Sequence, residues 1–168
     1  MDQALFRDLV DITRRAGAEI LDVYQTSFDV ENKADDSPLT QADLRAHEVI
    51  VKGLEALDGS IPIISEESEP PEFDIRKGWD RYWLVDPLDG TKEFVNRNGE
   101  FTVNIALIEN TRSTVGVVGV PVQSRVYVGD VAASETWCLE GDERRRLRTR
   151  SLPDGSITVV ASRSHGGE

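Results

Sequence analysis

Apolar residues recur at helical spacing from the start of the chain. Leu5, Leu9, Ile12, Ala16 and Ile20 fall on one face, which predicts an amphipathic helix over residues near 3–24. FDVENKADDSPLT then reads as a short strand and a polar loop, with Pro38 breaking any helix. A second helix starts at Thr40 and turns Leu44, Ile50, Leu54 and Leu57 to its buried side. Beyond it the period changes. IPIISEES is an apolar strand ending in acids, EPPEFDIRKG a loop, and RYWLVDP another strand. FTVNIALIE, TVGVVGVPV and RVYVG follow as strands separated by turns, with ITVVASRS as a last one. Two helices before a sheet-rich remainder predict an α+β fold, or a layered α/β sandwich with a mainly antiparallel sheet. Gly59 and the 67–79 loop are weak boundaries, and the 168 residues suit one domain with a real core.

Composition narrows the function classes. The net charge of −12 repels nucleic acid and anionic lipid at long range, and an anionic substrate would need a local cation to hold it. The basic run ERRRLRTR has no aromatic platform beside it and reads as a solvated edge strand or loop. No run of 18 apolar residues exists, so no transmembrane segment is expected, and the N-terminus lacks a signal-peptide pattern. Cys138 is the only cysteine, which excludes an internal disulfide framework and suits a small buried side chain in a reducing compartment.

The chemistry concentrates in WLVDPLDGTKEF, Trp83 to Phe94. A strand delivers Asp86 at its end, Pro87 stiffens the turn, and Asp89 follows at i+3 with the carbonyl of Leu88 between the two acids. Gly90 permits a tight backbone, and Thr91 opens a short helix over Lys92 to Val95 whose free N–H groups, from Gly90 and Thr91, form an anion site. A helix cap at Asp89 with Asp86 bracing the turn is the plainer reading. The acids Glu66 and Glu67 of SEES end another strand and would lie near Asp86. Unpaired carboxylates about 4 Å apart repel by about 4 kcal/mol at an effective dielectric of 20, so the cluster needs protons or a cation. All-oxygen ligands favour Mg²⁺, Mn²⁺ or Ca²⁺, and with only His47 and His165 present a histidine-rich zinc site is not expected.

These residues carry a resemblance. SEE after a strand, then DPLDGT, then a late VVASRSH, are similar to the lithium-sensitive, Mg²⁺-dependent phosphatases of the inositol monophosphatase superfamily. WLVDPLDGTKEFVNRNGEFTVNIALIE and KADDSPLTQAD look most like its 3'(2'),5'-bisphosphate nucleotidase branch. The resemblance implies the sandwich fold of those phosphatases. It also implies hydrolysis of 3'-phosphoadenosine 5'-phosphate to AMP and phosphate, with two or three Mg²⁺ ions, or Mn²⁺ in their place. Glu66, Asp86 and the carbonyl of Leu88 would hold one ion, and Asp86 and Asp89 a second. Asp89, Gly90 and Thr91 would bind the substrate, with the Gly90 and Thr91 amides against the scissile phosphate. Asp43 would pair with the Thr91 hydroxyl to orient or deprotonate the attacking water, so that Asp43, Thr91 and Glu66 form the catalytic set. A phosphorylated nucleotide is the implied partner, and the cytoplasm, with or without peripheral attachment to the inner membrane, the implied location.

Alternatives stay open residue by residue. Thr40 to Asp43 reads T-x-x-D, so Asp43 serves equally as a cap of the second helix. Glu67 is a surface acid or a brace for the ligands, and Lys33 an exposed residue or a support for the acids. Ser162, Arg163, Ser164 and His165 lie on the substrate side or in a plain loop. Trp79, Trp83 and Phe94 read as core or rim packing. An inositol-phosphate phosphatase and a catalytically incomplete metal- or partner-binding domain are the alternative functions. The family continues past the point where SRSHGGE stops, into a C-terminal domain with an Asp that completes the second metal site. Residues 1–168 are therefore expected to form the N-terminal metal-binding α+β domain of a truncated chain with little activity, one that self-associates through the face the missing domain would cover.

Overall fold

The computed structural model describes residues 1–26, 30–32, 38–152 and 154–160. Helix α1 (Gln3–Tyr24) is capped by Asp2, whose side chain accepts the Ala4 N–H, and it buries Leu9, Ile12, Ala16 and Ile20 as the spacing predicts. Two three-residue strands, β1 (Val30–Asn32) and β2 (Pro38–Thr40), pair antiparallel. Pro38 therefore opens a strand, a position where its missing N–H costs least. Helix α2 (Gln41–Asp58) begins at a full capping box between Thr40 and Asp43. Its buried stripe runs through Ala42, Asp43, Ala46, Ile50 and Leu54. Leu44 is 40% exposed, because the stripe that faces α1 and the sheet is centred one turn-edge away from it.

A seven-stranded sheet follows in the order β3 (Ile63–Ser65), β4 (Arg81–Asp89), β5 (Thr102–Glu109), β6 (Arg112–Val120), β7 (Arg125–Asp130), β8 (Glu135–Glu140) and β9 (Glu143–Arg146). Only β3 and β4 run parallel; the rest is an antiparallel meander. The ERRR segment is the exposed edge strand β9. Its Arg144 stacks between the rings of Phe6 and Trp137, at 4.2 and 3.9 Å. Strand β8 was not expected from the pattern, since only Cys138 in it is fully buried. The EPPEFDIRKG loop contains a one-turn helix, α3 (Phe73–Arg76). Residues 157–160 do not form the expected last strand. Ile157, Val159 and Val160 are 66%, 83% and 90% exposed, since apolar residues without a partner ladder gain nothing from extension. Residues 161–164 of that expected strand lie outside the described residues.

The helices cover one face of the sheet. Trp83, Val85, Val103, Ile105, Leu107, Val115 and Val117 alternate onto that face and build the core with α1 and α2. Gly119 lets α1 approach β6: a Cβ there would lie 2.5 Å from the Thr13 methyl carbon. Thr13 cannot swing away without releasing its hydroxyl bond to the Leu9 carbonyl, 2.8 Å. Gly119→Ala is therefore expected to destabilise the fold by about 1–3 kcal/mol, read as a fall in the urea midpoint at unchanged slope. Among the described residues no helix is long and apolar enough to cross a membrane.

Candidate active site

Among the described residues the opposite face of the sheet is open at β3–β6. Leu84, Asp86, Asn104, Ala106, Gly116 and Val118 line a concavity there of about 690 Å³. The acids collect at its edge, where the parallel pair ends. The Glu66 N–H donates to the Val85 carbonyl, 3.1 Å, which seats Glu66 beside the end of β4. Strand β4 runs on past Asp86 to Asp89, with a register shift between the two acids. Pro87 sits within this irregularity, where no ladder N–H is required.

Asp86 is the most perturbed group of the site. Its carboxyl is pushed up to about 7, first by burial, then by the Glu66 carboxylate and their shared hydrogen bond, then by Asp89. The Leu88 N–H works in the opposite direction. Asp86 Oδ1 is buried and has no hydrogen-bond partner among the described residues. Asp89 is exposed, and its Oδ2 accepts from Asn104 Nδ2 at 3.2 Å. Among the described residues no group of three or more His, Cys, Asp or Glu side chains forms a ready-made metal cage. Glu66 and Asp86 share a hydrogen bond, and Asp89 adds its charge from across the turn.

Past Asp89 the chain turns through Gly90 at φ +94°, into α4 (Thr91–Val95). A Cβ at Gly90 would lie 3.0 Å from the Glu100 carbonyl oxygen. Phe94 anchors α4 in an aromatic cluster with Tyr24 and Phe101, at ring distances of 5.1 and 5.3 Å. Arg97 donates to the Tyr24 and Thr26 carbonyls and so ties the turn to the end of α1. Trp83 is buried as expected, and Trp79 is half-buried on the rim.

Asp43 makes the contacts of both readings, the cap of α2 and the pairing with Thr91. Its Oδ2 accepts the Thr40 N–H at 2.8 Å and the Thr40 hydroxyl at 2.6 Å, which is the cap. Its Oδ1 lies 3.3 Å from the Thr91 hydroxyl, which also approaches the Leu88 carbonyl at 3.2 Å. One buried carboxylate thus starts α2 and orients Thr91. Asn104 and the pair of His47 Nδ1 with Ser65 Oγ, 2.8 Å, were missed in the sequence. A polar residue in the apolar run TVNIALIE was the available signal for Asn104. Glu67 is half-buried; Lys33 and Ser162, Arg163, Ser164 and His165 lie outside the described residues.

A buried carboxylate oxygen without a donor, beside a second carboxylate, in a site of oxygen donors fits a hard divalent cation. Residues 2–166 match the inositol monophosphatase family, and the chain belongs to that family. Among curated relatives it is 47% identical over 156 residues to the 3'(2'),5'-bisphosphate nucleotidase CysQ of Escherichia coli K12, covering 92% of this chain and 61% of that protein. To the Salmonella typhimurium protein of the same name it is 46% identical over 163 residues, covering 96% and 64%. The chain thus spans less than two thirds of the length of these relatives. Among solved structures, CysQ from Bacteroides thetaiotaomicron, described as a bacterial member of the inositol monophosphatase family, superposes with a TM-score of 0.70 at 39% identity, over 93% of this chain and 54% of that one. The extragenic suppressor protein suhB from Bartonella henselae gives a TM-score of 0.74 at 26% identity, over 88% and 56%.

Proposed function

We propose that these residues belong to a Mg²⁺-dependent phosphomonoesterase that hydrolyses 3'-phosphoadenosine 5'-phosphate to AMP and phosphate. The unpartnered Oδ1 of Asp86, beside Glu66, is the observation that carries the reading. The family is generally Mg²⁺-dependent, and the relatives quoted above are bisphosphate nucleotidases by name.

Glu66, Asp86, the Leu88 carbonyl and Asp89 would hold the metal. When bound, Mg²⁺ would neutralise phosphate charge and lower the pKa of a water. The chain's own residues supply the positioning. The first turn of α4 leaves the Gly90 and Thr91 amides without intrahelical acceptors, free to bind phosphate oxygens. The Thr91 hydroxyl donates its single proton between Asp43 Oδ1 and the Leu88 carbonyl, which leaves its lone pairs to align the attacking water. Asp43 is held by its two bonds from Thr40, so this alignment costs no reorganisation during reaction. Asp89, fixed by Asn104, borders the substrate side. The exposed Lys92 on the first turn of α4 offers charge to a second phosphate.

Calorimetry tests the metal assignment. Mg²⁺ and Mn²⁺ should each bind, and Asp86→Asn and Glu66→Gln should weaken binding at least about 10-fold. Equal binding by parent and both variants means the acids are not ligands. Substrate class is read from phosphate release: kcat/KM for 3'-phosphoadenosine 5'-phosphate should exceed that for inositol 1-phosphate by about 10-fold or more. A reversed ratio assigns the site to inositol phosphates instead.

A further inference from the structure

The proposed ligand set leaves one polar pair unused, a half-buried histidine against a buried serine. His47 Nδ1 lies 2.8 Å from Ser65 Oγ, and Ser65 is only 3% exposed. His47 is four residues beyond Asp43 on α2, so both side chains leave the same face of the helix. Asp43 reaches Thr91, after β4; His47 reaches Ser65, the last residue of β3. One helix face therefore grips both strand ends that carry the acids. Glu66 follows Ser65 directly, as the first residue of the turn beyond β3. The Ser65 hydroxyl is anchored under the sheet while the Glu66 N–H is held by the Val85 carbonyl. The Ser65 carbonyl is fixed as well, accepting from the Ser68 N–H and hydroxyl, both at 3.2 Å.

We propose that His47 is a positioning residue for the metal site: through Ser65 it locks the end of β3 and so sets Glu66 against Asp86. This rests on the function proposed above, in which both acids are ligands. Outer partners of this kind are typically worth about 10–100-fold in metal affinity. A buried hydroxyl merely satisfied by the nearest ring nitrogen would leave metal affinity untouched.

The test is Mg²⁺ calorimetry on His47→Ala, Ser65→Ala, their double variant and His47→Asn, with amide hydrogen exchange at Glu66 in metal-free protein. Asn places a polar atom where Nδ1 stands and can keep the bond. The single alanine variants should each weaken Mg²⁺ about 10-fold and the double variant no further, while His47→Asn stays within about threefold of the parent. Exchange at the Glu66 amide should quicken in His47→Ala and return to the parent rate in His47→Asn. Unchanged Mg²⁺ affinity in His47→Ala and Ser65→Ala, additive losses, or equal losses in His47→Asn and His47→Ala would overturn the proposal. Should the parent bind no Mg²⁺, the proposed function fails, and the exchange measurement alone decides on His47: an unaltered Glu66 amide rejects the positioning role, and a faster one upholds it.

Discussion

Replacing Asp86 by Asn is expected to make the metal-free protein more stable at pH 8 and the Mg²⁺-saturated protein less stable than the parent. The sign follows from the raised carboxyl, about 7 in the fold against 3.8 for an ordinary aspartate. The folded state holds the proton more tightly than the unfolded state does. The parent therefore keeps its full stability below about pH 4, loses it progressively as pH rises toward 7, and carries the whole penalty above that. A shift of this size corresponds to about 4 kcal/mol if undiscounted, and to about 1–2 kcal/mol after allowing for the solvent around a half-exposed carboxyl. Asn carries no charge at any of these pH values and escapes the penalty. Saturation at about 100 times Kd adds about 2.7 kcal/mol to the parent and much less to a variant lacking a ligand, so the order reverses. Urea unfolding at pH 4 and 8, with chelator and with Mg²⁺, checks all four corners. A variant less stable than the parent at pH 8 in chelator would show that Asp86 is not held under electrostatic strain.

The other large effect is expected at Gly90. Gly90→Ala meets two penalties at once. An L side chain at φ +94° costs about 1–2 kcal/mol. The added Cβ would lie 3.0 Å from the Glu100 carbonyl oxygen and 3.3 Å from the Phe101 Cα, both backbone atoms that cannot rotate aside. Together these predict a loss of about 2–4 kcal/mol, seen as a lower thermal midpoint and weakened aromatic near-ultraviolet signal from the Tyr24, Phe94 and Phe101 cluster. Gly141, with φ +58° and open space around its Cβ position, is the control, since Gly141→Ala carries only the backbone penalty. Similar losses at the two positions would remove the steric part of the explanation.

What could be read from the sequence was what local chemistry decides. The T-x-x-D box starts α2 because both its hydrogen bonds lie within four residues. The DPLDGT turn could be anticipated because proline and glycine restrict the backbone whatever surrounds them. The converging ends of β3 and β4 followed from two apolar runs that each stop at an acid. Contacts set by register and helix rotation could not be read. Asn104 reaches Asp89 only because β5 pairs with β4 at Asp86, and no spacing in the sequence announces that pairing. Leu44 has the hydrophobicity of a core residue, but the helix turns it outward. Strand β8 offers no clean alternation, because Trp137 and Leu139 are half-buried on either side of Cys138. Capping α2 and pairing with Thr91 looked like alternatives for Asp43, but one carboxylate has two oxygens, and each makes one of the two contacts.

The single parallel pair in the sheet bears on the order in which the chain assembles. Strands β5 through β9 are neighbours in sequence as well as in space, and hairpins of this kind close quickly, over short loops. The junction of β3 with β4 and the Asp43–Thr91 contact, 48 residues apart, require long stretches of chain to come together. The acids thus sit on a seam costlier to close than the hairpins, which is expected to form late in folding. Interactions absent from the folding transition state act mainly on the unfolding rate. A cation gripping that seam would accordingly behave as a latch, slowing the escape of the folded protein while leaving the speed of its formation almost unchanged.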